Sequence, residues 1–101
     1  MTLSVKAGVT FEIDSLALSR MLTVLLLLPY DGDVVITSGT DGTHMPTSKH
    51  YTGEALDLRT SNMTDPVAFG VQLGKALGPS FRVLNEKDHL HVQVRKGHTY
   101  P

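Results

Sequence analysis

The stretch EKDHLHVQV, Glu86 to Val94, decides how this chain is read. From His89 onward apolar and polar residues alternate, and successive side chains of a strand point to opposite faces. His89, His91 and Gln93 therefore share one face, and Leu90, Val92 and Val94 share the other. EALDLR, Glu54 to Arg59, repeats the pattern, with Ala55, Asp57 and Arg59 opposite Leu56 and Leu58. If both strands turn their apolar rows into a core, Asp57 and His91 converge on the outer face. His50, in the loop leading into the first strand, can then fold over that face.

The rest of the chain supplies elements for such a core. Asp14 or Ser15 can cap a helix that runs to about Leu28, where Pro29 stops it. Leu16, Leu18, Met21, Leu22, Leu25 and Leu28 form its expected core stripe. Val34 to Thr37 reads as a buried, β-branched strand. Gly39 to Gly53 reads as a long polar loop, a length that is uncommon unless the loop is functional or disordered. Asp65-Pro66 opens a second helix, with Val67, Val71, Leu73, Ala76 and Leu77 as its apolar side and Gly78-Pro79 as its end. Phe81 to Leu84 and Leu90 to Val94 read as strands joined in a hairpin across Asn85 to Asp88. The expected fold is α+β: a small, largely antiparallel sheet carrying two main helices, in one domain spanning residues 1–101.

Composition narrows the chemistry. Hydrophobic residues make up 41% and charged residues 19% of the chain, as in a globular protein. A net charge of −1 with no long run of one sign gives no electrostatic case for nucleic acid or for stable association with an anionic membrane. The four leucines Leu25 to Leu28 are too short a run to span a bilayer, which takes about 20 apolar residues. The run also follows Glu12 and Asp14, unlike an export signal, so the expected location is the cytoplasm as synthesised. With no cysteine, any metal site needs nitrogen and oxygen ligands, and five histidines and ten acids are present to supply them.

Two imidazoles and a carboxylate with one position open is a catalytic zinc arrangement. A nearby acid would take a proton from water and return it to a leaving amine. Asp88 lies three residues before His91, and Glu86 lies two further out; proximity favours Asp88. On residues alone the same side chains also read as ordinary polar strand residues, with Asp57 capping a turn or pairing with Arg59 or Arg82.

The segment SKHYTGEALDLR, Ser48 to Arg59, resembles the S-x-H-x-x-G-x-A-x-D signature of the LAS zinc metallopeptidases. These are the D-Ala-D-Ala carboxypeptidases and L-alanyl-D-glutamate endopeptidases of peptidoglycan, and they include many phage endolysins. VVITSG resembles that family's strand into the loop, and DHLH its closing motif. The ordered match runs from about Val34 to Val94. The resemblance implies a compact Hedgehog-like or D-Ala-D-Ala-peptidase-like fold and one zinc ion held by His50, Asp57 and His91. It makes Asp88 the general base and His89 a residue that hydrogen-bonds the substrate or the zinc water. It makes Ser48 a substrate contact, and Gly53 and Ala55 packing positions. The implied substrate is a peptidoglycan peptide, and release to the cell wall would follow a phage-type route.

One departure stands out. Many members place an arginine shortly after the T-S-G strand end, where this chain reads Thr40-Asp41-Gly42-Thr43-His44. His44 and Arg59 are the substitutes at hand, although a histidine in such a loop reads first as facing solvent. The missing arginine also motivates a rival expectation, a non-catalytic zinc-containing binding module. The Hedgehog signalling domain, which resembles this family, keeps a zinc site and works by binding. A metal-free structural domain is a third reading.

Overall fold

The computed structural model describes residues 2–100. The elements run β1 (Thr2–Val5), α1 (Leu16–Leu27), β2 (Asp33–Ser38), a 3-10 helix (Lys49–Thr52), β3 (Ala55–Arg59), α2 (Pro66–Leu77), β4 (Phe81–Asn85) and β5 (His89–Val94). Local chemistry sets the helix starts. The Ser15 hydroxyl accepts from the Leu18 amide at 3.1 Å, and the Asp65 carboxylate accepts from the Ala68 amide at 3.0 Å, each satisfying an otherwise free first-turn donor. Pro66 occupies the first turn of α2, where its missing N–H costs nothing. The Leu28 amide closes α1 on the Val24 carbonyl, and Pro29 cannot extend the ladder.

The five strands form one sheet in the order β1-β2-β3-β5-β4. β2 with β3, β3 with β5 and β4 with β5 pair antiparallel, while β1 lies parallel to β2 from Thr2 beside Asp33 to Val5 beside Ile36. The sheet is therefore mixed and gains a strand over the four expected. β1 is four residues long and mostly exposed. Its identity as a strand comes from a partner more than thirty residues away. The long loop is also less irregular than expected, because Lys49 to Thr52 winds into the 3-10 helix.

The core lies on one face of the sheet. Leu56, Leu58, Leu90, Val92, Val34 and Ile36 meet Leu18, Met21 and Leu25 of α1 and Phe69, Leu73 and Leu77 of α2 in one buried cluster. The helix faces differ in detail from the expected stripes. Leu16 is exposed, Leu26 and Leu27 of the leucine run face outward, and only Leu25 and Leu28 of that run are buried. On α2 the buried row is Phe69-Leu73-Leu77, while Val67 and Val71 are exposed. No helix among the described residues is long and apolar enough to cross a membrane. The opposite face of β3 and β5 carries the polar row, and the 3-10 helix packs over it.

Candidate metal centre

His50 is the one buried polar or charged residue among those described, with 2% of its surface exposed. Its placement is built from both sides. The Ser48 hydroxyl accepts the His50 amide at 3.1 Å and starts the 3-10 helix. Gly53 ends it at φ +76°, the left-handed region that glycine enters without penalty, and donates its amide to the His50 carbonyl. A Cβ on Gly53 would lie 2.6 Å from Cβ of Glu12, so the site is also a close approach.

The imidazole is fixed by a backbone carbonyl. His50 Nδ1 donates to the Gly39 carbonyl at 2.7 Å. A carbonyl only accepts, so Nδ1 carries the hydrogen and Nε2 is the nitrogen turned toward the sheet. Gly39 is itself pinned, since its amide donates to Asp41 Oδ1 at 2.8 Å, and the same oxygen accepts from the Thr10 amide at 3.1 Å. Burial alone would raise the Asp41 carboxyl, but these backbone donors bring it below its ordinary value.

Asp57 and His91 face each other directly across the β3–β5 ladder. His91 Nδ1 lies 2.9 Å from Asp57 Oδ1, and His50 Nε2 lies 3.2 Å from the same oxygen. One donor atom from each of His50, Asp57 and His91 falls within 4.8 Å of the others. Burial pushes Asp57 upward, but the hydrogen bonds from His50 and His91 outweigh it and hold the carboxyl well below the usual range. The hydrogen bond to Asp57 raises His91, partly offset by burial. Both nitrogens lie within 3.2 Å of Asp57 Oδ1, distances at which either a proton or a metal ion can bridge nitrogen and carboxylate. The donor set suits a metal: imidazole nitrogens and a carboxylate oxygen, half-buried beside open space. This group can hold one metal ion.

The site opens into a cleft of about 700 Å³. Ser48 and His44 line it, as do Glu86, His89, Gln93, Lys49 and Lys96. His44 does not simply face solvent. Its ring stacks on that of His50 at 4.0 Å between centroids and 10° between planes, and its Nε2 donates to the Asp41 carbonyl at 2.8 Å. The Tyr51 hydroxyl clasps the His44 backbone, accepting from its amide at 2.7 Å and donating to its carbonyl at 3.0 Å.

Asp88 lies outside the cleft, its side chain 85% exposed, and accepts from His89 Nδ1 at 2.6 Å. That bond lowers the Asp88 carboxyl. It also leaves His89 Nε2 facing the cleft, 3.8 Å from Asp57 Oδ1 and 3.9 Å from Glu86 Oε1. Arg59 follows Asp57 by two residues on β3, pairs with His89 in the ladder, and does not line the cleft.

Several contributors escaped sequence reasoning. The Gly39 carbonyl has no side-chain signal at all. Gln93 sits on the same alternating face as His91 and was legible as a neighbour, but not as its partner. Lys96 lies beyond the strand pattern. Compared with known proteins, the chain matches no protein-family model and no curated protein.

Proposed function

We propose that this protein is a zinc-dependent peptidase that hydrolyses peptidoglycan stem or cross-link peptides. One observation carries the reading. His50, Asp57 and His91, which stand in the order and spacing of the LAS signature, meet at the floor of one open cleft. In this reading His50 Nε2, an Asp57 oxygen and His91 Nδ1 hold the ion. When bound, zinc supplies Lewis acidity that polarises a carbonyl and makes water a better nucleophile at neutral pH.

The chain's own residues do the rest. Asp88, the base by motif position, acts through His89: it holds Nδ1–H and leaves Nε2 to take a proton from water and return it to the leaving amine. Glu86, whose carboxylate lines the same cleft, is the alternative acid and base. Ser48 keeps its hydroxyl hydrogen free for a substrate carbonyl or carboxylate, because toward His50 it only accepts. The stacked His44 walls the site behind His50. A wall substrate also requires that the protein reach the wall, and release by a phage-type lysis route belongs to the proposal.

The test pairs metal content with turnover. Elemental analysis of the purified protein is expected to find one zinc per chain, lost in His50→Ala. Peptidoglycan incubated with the protein is expected to yield new amines or free D-alanine, and chelator should abolish the yield. Absence of turnover with any divalent metal would reject the peptidase reading. A second reading, a non-catalytic zinc-containing binding module, is favoured by one feature: no arginine lines the cleft. It predicts saturable muropeptide binding without turnover.

A further inference from the structure

We infer that Gln93 is a positioning residue that selects which nitrogen of His91 meets the metal. The inference rests on the metal reading above and extends it to a residue that the ligand pattern does not include.

The argument follows hydrogen-bond direction from the backbone inward. The Gln93 side-chain amide nitrogen donates to the Val94 carbonyl at 3.1 Å, and a carbonyl only accepts. The NH₂ end of Gln93 is therefore turned toward Val94, and its Oε1 is turned toward His91. That oxygen lies 2.8 Å from His91 Nε2. An amide oxygen has no hydrogen to give, so Nε2 must donate. Nδ1 is then the nitrogen available to a metal, and it is the nitrogen that faces Asp57 Oδ1.

The strand makes the arrangement possible. Gln93 follows His91 by two residues on β5, so both side chains project from one face. The residue opposite Gln93 on β3 is Ala55, whose side chain is a single methyl. His50 and His91 thus have opposite ligand atoms, each set by the partner on the other ring nitrogen. For His50 that partner is the Gly39 carbonyl, which no side-chain substitution removes. For His91 it is a side chain. A metal-binding histidine usually relies on such a partner, and losing it typically weakens metal affinity 10–100-fold.

The experiment compares wild type with Gln93→Leu and Gln93→Glu. Zinc affinity is measured by competition with a chromophoric chelator. Long-range ¹H–¹⁵N correlation spectra of the zinc-loaded proteins identify the metal-bound nitrogen of each histidine. Wild type is expected to bind through His91 Nδ1 and His50 Nε2. Gln93→Leu, which has similar bulk and no acceptor, is expected to bind roughly 10–100-fold more weakly. Gln93→Glu keeps an acceptor and is expected to stay close to wild type, with Nδ1 still bound. Unchanged affinity in Gln93→Leu, an equal loss in Gln93→Glu, or Nε2 coordination in wild type would each overturn the inference while leaving the metal site standing. Failure of wild type to bind zinc would overturn the metal reading and this inference together.

Discussion

Replacing Gly39 with alanine tests whether the loop carbonyl is the anchor of the site. A Cβ at Gly39 would sit 2.2 Å from the Thr10 carbonyl oxygen and 2.9 Å from Cδ1 of Phe11. The nearer neighbour is backbone, so rotation of a side chain cannot relieve it. That oxygen also accepts the Thr40 amide at 2.7 Å, so moving it stretches the bond that holds the N-terminal segment to the end of β2. Overpacking of this kind costs about 1–3 kcal/mol, and a lost hydrogen bond adds about 1 kcal/mol. The sum of about 2–4 kcal/mol corresponds to a fall in melting temperature of roughly 10–30 °C for a domain of this size. Because the Gly39 carbonyl orients His50, metal affinity should fall with stability, by about 10–100-fold. Chemical denaturation of the metal-free protein and a zinc competition titration read the two effects separately. Wild-type stability in Gly39→Ala would refute the close approach. Full metal affinity in a destabilised variant would refute the anchoring role of the carbonyl.

Three other outcomes are expected. Gly74→Ala should stabilise by about 1 kcal/mol from helix propensity, since its Cβ would meet only Val83 at an ordinary 3.8 Å; urea unfolding checks the sign. In metal-free protein the Asp57–His91 pair should stabilise most between pH 3.8 and 6.5, the ordinary values of the two groups. Asp57 is lowered on folding, so its share is lost as pH falls below that window, and His91 is raised, so its share is lost as pH rises above it; Asp57→Asn should flatten the melting-temperature profile across both flanks. Within the peptidase proposal, Lys96 lines the cleft and forms no ion pair among the described residues, so it is placed to meet a substrate carboxylate. Lys96→Ala should then raise KM several-fold with little change in kcat, measured on a stem peptide, and an unchanged KM would remove it from substrate binding.

Much of the candidate metal centre was legible in the chain because strands make it so. Alternation along EALDLR and HLHVQV put Asp57 and His91 on the face away from the core, and the ladder sets them directly opposite each other. The Asp65 cap of α2 was legible for a similar reason, and that of α1 was narrowed to Asp14 or Ser15, of which Ser15 accepts the bond, since each cap is a local contact within four residues. The helix faces were harder. Residues such as Leu26, Leu27, Val67 and Val71 are apolar but outward, and hydrophobicity alone does not say which side of a helix meets the sheet. β1 is not legible in the sequence because a short exposed strand owes its conformation to its neighbour β2 rather than to its own pattern.

By itself, the sequence determined which residue types share a face, where the helices begin, and that any metal must be held by nitrogen and oxygen. Those are consequences of backbone periodicity, capping and composition, all short-range. Tertiary structure alone decided the orientation of the donors. It packed the 3-10 helix over the sheet and set the Gly39 carbonyl against His50. It turned Asp88 out of the cleft while aiming His89 into it. Hydrogen-bond direction depends on which acceptor lies within 3 Å, and residues far apart in the chain meet at that distance only after the core has closed.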